Sequence, residues 1–293
     1  MNNKYFRSEI HSYLDDLYTE FEEYQNDVLE TLIEFNRLCS LRNIEYYVGF
    51  GSLLGFFRNG NLLPWDYDID VIVPIYEKKK LIKTLNKELD PKFYYYCPEV
   101  DEKCRHYCIR ITKKDFNSSA IHMDIFFLIG APEDKNKREG FRKKVKKINR
   151  IRKIKLVNAK EESMGINTFR IARNIKKIIY FPISIKVLNL FYNYLCHKIN
   201  YENAKYVTTM QAAADTYNKN IFGKPTIIEI KGNKFKAPSD IIGFLNSTYS
   251  NYESIPPICS RFDEFYQSIQ RLKYFNNGNK VLNKSDFQIN NYK

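Results

Sequence analysis

The chain has 293 residues, of which 44% are hydrophobic and 15% aromatic, enough apolar material for a packed interior, so a disordered or low-complexity chain is excluded. Lys and Arg number 47 against 34 Asp and Glu, and the formal charge of +13 points to an anionic partner: a phosphate compound, a nucleic acid or an acidic membrane face. The six cysteines are scattered and the first residues are charged where a secretory leader is apolar, so the thiols read as reduced and cytosolic, and the most apolar stretch, 178–195, is too interrupted to span a bilayer.

Residues 8–42 place Leu14, Leu17, Phe21, Leu29, Leu32, Phe35 and Leu38 at helical spacing, predicting two helices or one bent one. Residues 44–50 switch to a β-rich run that stops at Gly51-Ser52. A second strand is expected over 69–75, a Lys-rich helix over 77–89, a third strand over 105–112 and a fourth over 121–129. Residues 135–155 are strongly basic, yet Phe141, Val145, Ile148, Ile151 and Ile154 recur at three- and four-residue steps, as in an amphipathic helix. Helical patterning continues through 165–215, restarting at Ser184 after Pro182, with Val187, Leu188, Phe191, Tyr192 and Leu195 as one stripe. A hairpin turning at Gly232-Asn233 is expected within 226–236, then a short helix capped by Ser239 or Asp240, and the last two dozen residues read as a frayed tail. Alternating strands and helices in the first half predict an α/β fold: a small mixed sheet with surrounding helices and a helical C-terminal half.

The chemistry concentrates between residues 49 and 70. Asp66, Asp68 and Asp70 lie two apart, and in extended chain all three side chains share a face while Tyr67 takes the other. Three like charges repel, and a hard divalent cation is the simplest neutraliser; solvated loop carboxylates are the plainer alternative. Gly51 and Ser52, at a strand end, suit the close approach of a phosphate. Asp124 sits inside the apolar run HMDIFFL, where a lone carboxylate is costly; it either joins the same cation or forms a buried ion pair with Arg58 or Arg110. Arg58 could grip a phosphate, or pair with Asp66, and His122 shares the strand face of Asp124. Cys104, His106 and Cys108 alternate on one strand, but the spacing lacks the paired Cys-x-x-Cys of a zinc site.

The segment YYVGFGSLLGFFRNGNLLPWDYDID, followed by HMDIFFL and by STYSNYESIPP, resembles the LicD family of phosphocholine and phosphoalditol transferases, relatives of fukutin and fukutin-related protein within the nucleotidyltransferase-fold superfamily. Ser52 replaces the usual Thr and Tyr67 replaces a usual Asp, which leaves open whether Asp66/Asp68 or Asp68/Asp70 is the metal pair. The resemblance implies Asp68, Asp70 and Asp124 as catalytic residues and ligands of Mg²⁺ or Mn²⁺, and Gly51, Ser52, Arg58, Asp66 and His122 as substrate-binding. It implies a helical lead-in over 1–42, a catalytic domain over 43–260 with a basic helical insertion at 135–200, and a C-terminal extension over 261–293. The implied reaction moves a phosphorylated small alcohol from a CDP-linked donor to a glycan hydroxyl, the acceptor free or lipid-linked. Apart from the resemblance, the basic helix at 135–155 reads either as a solvated charged face or as a contact with the anionic inner face of a membrane, since the next segment adds an apolar stripe flanked by Arg170, Arg173, Lys176 and Lys177. A nucleotidyltransferase acting on protein or RNA is the rival on the same scaffold, and a non-catalytic basic module binding membrane or nucleic acid is the rival outside it. Without a recognisable nucleic-acid-binding motif, nucleic acid is not the expected partner.

Overall fold

The computed structural model describes residues 15–102, 104, 106–114, 122–156, 175–210 and 216–257, together with 260, 261, 264, 265 and 268. Helix α1 (Asp15–Leu41) is continuous, and its stripe of Phe21, Val28, Leu32, Phe35 and Leu38 is wholly buried. Asn43, in left-handed backbone, turns the chain toward strand β1 (Tyr47–Val48). That strand is shorter than expected because the chain turns at Phe50 into α2 (Phe50–Asn59), which Gly60 closes in a left-handed cap at φ 64°.

Strand β2 (Asp68–Pro74) leads through a 3₁₀ turn to α3 (Lys78–Glu88), then β3 (Phe93–Tyr96), β4 (Ile109–Lys113) and β5 (His122–Ala131). The sheet order is β1-β2-β5-β4-β3, with β2 and β5 parallel and the other pairings antiparallel. Strand β5 is central, and its edge away from β2 is shared: Met123 to Ile125 pair with β4, and Leu128 to Ala131 pair with β6 (Tyr206–Thr209). Strand β7 (Thr216–Asn218) extends the sheet from β6. Buried neighbours on both faces explain why β5 reads as an unbroken apolar run with one carboxylate in it.

The basic segment folds as α4 (Lys135–Leu156), with Phe141, Val145, Ile148, Ile151 and Ile154 buried and most of its lysines outside. Arg152 is an exception, fully buried, donating to the backbone carbonyls of Glu102 and Cys104 and to Asn189 Oδ1, its guanidinium 4.4 Å from the Tyr107 ring centroid. Helix α5 (Ile185–His197) begins where expected: Ser184 Oγ accepts the Val187 N–H at 3.1 Å. The helical reading does not hold beyond His197, where turns lead into β6 at Tyr206; residues 157–174 and 211–215 lie outside the described residues.

The hairpin pairs β8 (Thr226–Ile230) with β9 (Asn233–Ala237), so its turn is Lys231-Gly232, one residue earlier than expected, with φ of 48° and 77°. Two positive φ values define the type I′ turn whose twist matches the strands. Asp240, rather than Ser239, caps α6 (Ile241–Thr248) by accepting the Gly243 N–H. The C-terminal residues reach back to the start of the fold: Phe265 meets Phe21 edge-on at 5.2 Å, and Ser268 Oγ donates to the Trp65 carbonyl. The expected tail lies outside the described residues. The architecture is therefore mixed α/β, a sheet between helices, as the strand and helix alternation predicts.

Candidate active site

Register puts the charged residues side by side. Asp70 is opposite Asp124, Asp124 opposite Arg110, and Arg110 opposite Tyr96, a row running across β2, β5, β4 and β3. Asp68 is opposite His122 one step along. Side chains alternate along each strand, so these residues share one face while Ile69, Val71, Met123 and Ile125 enter the core on the other.

A ligand atom from each of Asp68, His122 and Asp124 lies within 4.8 Å of the others. His122 Nε2 is 3.5 Å from Asp68 Oδ2 and 3.8 Å from Asp124 Oδ2. The imidazole is 1% exposed, and neither ring nitrogen has a hydrogen-bond partner. Buried polar nitrogens without partners are uncommon and costly. Two carboxylates beside such a ring form a mixed oxygen and nitrogen donor set that fits a divalent cation. The set is not oxygen-only, because His122 stands in it with Asp68 and Asp124, while Asp70 is outside this closest group.

Asp124 is held by Arg110, whose Nε lies 2.6 Å from Oδ1 and whose Nη2 donates to Oδ2 at 3.0 Å. The buried ion pair weighed above thus exists, with Arg110 and not Arg58, and it coexists with the cation-binding geometry. Burial alone would drain charge from Arg110, but Asp124 outweighs it and holds the guanidinium firmly protonated. Arg110 is legible in the sequence for the same reason as Asp124, since a charge between Ile109 and Ile111 in a strand needs a partner. Tyr96, whose hydroxyl lies 3.5 Å from Arg110 Nη1, belongs to a short edge strand that its Tyr-rich sequence does not advertise.

The remaining carboxylates are crowded. Burial, then the Asp68 charge, pushes the Asp66 carboxyl well above the ordinary carboxylate range. Burial also acts to raise Asp68, but His122, the hydrogen bond from Asp66 and the Arg110 charge bring it below that range. Asp70 is raised by burial and by the charges of Asp68 and Asp124. In the absence of a cation, protons do the neutralising.

The turn before α2 positions the strand beneath this cluster. Ser52 is buried and its Oγ accepts the Asp70 N–H at 2.8 Å, tying helix to strand. Gly49 donates its N–H to the Asp70 carbonyl, and a Cβ there would meet Ile72 Cδ1 at 2.7 Å. A Cβ on Gly51 would meet Asp66 Oδ2 at 2.7 Å, so Gly51 is small because the carboxyl lies against it. The left-handed residue of the turn is Phe50, at φ 47°, an unusual backbone for a bulky side chain and a common mark of a functional turn. Arg58 sits in the last turn of α2, half-buried, where burial followed by the Arg261 charge lowers its proton affinity. Tyr67 does not simply face away, since its ring meets His122 edge-on at 5.8 Å.

A cavity of about 380 Å³ lies elsewhere, lined by Lys135, Arg138, Phe141, Arg142 and Thr208 near the far end of β5. Ala131 lies seven residues along the strand from Asp124, roughly 23 Å of extended chain, so this cavity is not the aspartate site.

The mixed sheet thus carries a Gly-Ser turn at one strand end and carboxylates on two adjoining parallel strands. Residues 43–164 match the family described as LicD/FKTN/FKRP, nucleotidyltransferase domain. The chain is also a weak homologue of the lipopolysaccharide cholinephosphotransferase LicD of Haemophilus influenzae, 23% identical over 249 residues that cover 80% of this chain and 92% of the relative.

Proposed function

We propose that the protein is a divalent-cation-dependent phosphotransferase that moves a phosphorylated small alcohol from a CDP-linked donor to a hydroxyl of a surface glycan such as lipopolysaccharide, releasing CMP. The observation that carries this reading is the cluster of Asp68, His122 and Asp124 on adjoining strands, with Asp70 and Arg110 in register beside it. Bound there, Mg²⁺ or Mn²⁺ would neutralise the donor diphosphate and the charge that builds on the leaving phosphate. Asp68, His122 and Asp124, with Asp70 beside them, are the residues that would hold it. The acceptor oxygen bonds to the phosphorus that bears the alcohol, the bridge to CMP breaks, and CMP departs with the electron pair. The hydroxyl proton must pass to a base, and Asp70, on the same strand face and opposite Asp124, is the carboxylate suited by position to that task, whereas Asp124 is already occupied by Arg110.

Within this class phosphocholine is the favoured group. Tyr94 and Tyr96 alternate onto the strand face of Arg110, half-buried and stacked at 6.5 Å, and aromatic faces attract quaternary ammonium. The homologue's cholinephosphotransferase name supports the same choice. The test is CMP release from CDP-choline and from CDP-ribitol with lipopolysaccharide as acceptor, with Mg²⁺, with Mn²⁺ and with EDTA. Metal-dependent CMP formation with CDP-choline preferred is the expected result; turnover in EDTA, or pyrophosphate as the product from a nucleoside triphosphate, would overturn the reading.

A further inference from the structure

Helix α5 is apolar on two faces, and the fold uses only one. Leu188, Tyr192, Leu195 and Cys196 are buried. Val187, Leu190, Phe191 and Tyr194 recur at the three- and four-residue steps of a second face and are 42% to 70% exposed. The stripe expected from the sequence is therefore divided, with Val187 and Phe191 outward and Leu188, Tyr192 and Leu195 inward. Just before the helix, Ile175, Ile178, Ile179 and Phe181 are 53% to 81% exposed. This segment is anchored to the end of α4, where Lys155 Nζ donates to the carbonyls of Tyr180 and Phe181. Soluble monomers rarely leave so much apolar side chain exposed in one stretch, and such surfaces mark interaction sites.

Charge selects the occupant. From residue 175 to 198 there is no Asp or Glu, while Lys176, Lys177, Lys186 and Lys198 punctuate the apolar residues. The rings of Phe191 and Tyr194 stack at 6.1 Å, and Lys198 Nζ lies 5.9 Å from the Tyr194 ring centroid. A second copy docked by this face would set lysines against lysines across the symmetry axis. A bilayer of anionic phospholipid instead takes the apolar side chains among its acyl chains and pairs the lysines with headgroup phosphates. No helix among the described residues is long and apolar enough to cross a membrane, so this surface would lie on the bilayer.

We propose that residues 175–198 form an interfacial surface that docks the protein on anionic phospholipid membrane. The surface shares no residue with the aspartate cluster, so its test needs no turnover and stands apart from the catalytic reading. The full chain is co-sedimented with vesicles of phosphatidylcholine alone or mixed with phosphatidylglycerol, at low and moderate salt. Binding is expected to the mixed vesicles and to weaken with salt. The double variant Phe181→Asp with Leu190→Asp, at positions whose exposure spares the fold, should lower affinity ~100-fold with Tm unchanged. Lys186→Glu should lower it roughly tenfold. Failure to bind mixed vesicles at low salt, equal binding to neutral vesicles, or unaltered binding by the double variant overturns the proposal. So does a concentration-dependent dimer, seen without lipid by sedimentation equilibrium, that the double variant dissociates.

Discussion

At the scale of single residues, the site holds more like charge than folding favours. Asp70 is raised by burial and by Asp68 and Asp124, so it binds its proton more tightly folded than unfolded. Its contribution to stability is complete below the ordinary value of 3.8 and is lost as pH rises through the folded value, which makes Asp70 a cost at neutral pH when no cation is present. Asp70→Asn should therefore raise Tm in EDTA at pH 7 while turnover falls by orders of magnitude; a variant that is both less stable and fully active would refute the assignment. Arg110 makes the opposite prediction. Arg110→Met strands Asp124 in a buried site, at ~3–5 kcal/mol, so Tm should fall by roughly 10 °C, and an unchanged Tm would remove the ion pair as what holds Asp124. The aspartates were legible because alternation in a strand and a carboxylate in an apolar run are visible in sequence. The Ser52 bond to the Asp70 N–H and the left-handed Phe50 were not, because both depend on how close α2 comes to β2.

At the scale of elements, legibility followed length and period. Helices α1 and α4 announce themselves through many buried turns, whereas β3, β6 and β7 have three or four residues each, too few to establish an alternation. In α4 the limit is of another kind. Arg152 is one cation among many in the sequence, and only packing distinguishes it, fully buried and donating to the carbonyls of Glu102 and Cys104 and to Asn189. It ties the approach to β4, and hence Arg110, to both α4 and α5. Arg152→Met preserves bulk but leaves those acceptors without donors, so thermal denaturation should show a loss of ~3 kcal/mol. Arg150→Met, at an exposed position on the same helix, should stay within about 0.5 kcal/mol. Equal effects from the two would mean that the buried clamp contributes nothing of its own.

At the scale of the whole molecule, the two ends of the described chain meet at the site loop. Trp65, the single tryptophan, precedes the aspartates and is 7% exposed. Its carbonyl accepts from Ser268 Oγ, Arg261 stands 5.7 Å from its ring centroid, and Phe265 packs on Phe21 of α1. Gln25 on α1 donates to the carbonyls of Leu63 and Asp66 on either side. The loop that presents Asp66 and Asp68 is thus pinned between the first helix and the side chains of Arg261 and Ser268. Phe265→Ala opens a cavity beside Phe21 and should cost ~3–5 kcal/mol. Removing residues 258–293 should go further. Trp65 emission should shift to longer wavelength as water reaches the indole, and Mg²⁺-dependent binding of CDP-choline should weaken while far-ultraviolet circular dichroism still reports a folded sheet. The natural tryptophan makes this measurable without a label. If emission, Tm and donor binding all match the full chain after truncation, the C-terminal residues do not hold the loop, and α1 alone sets the position of the aspartates.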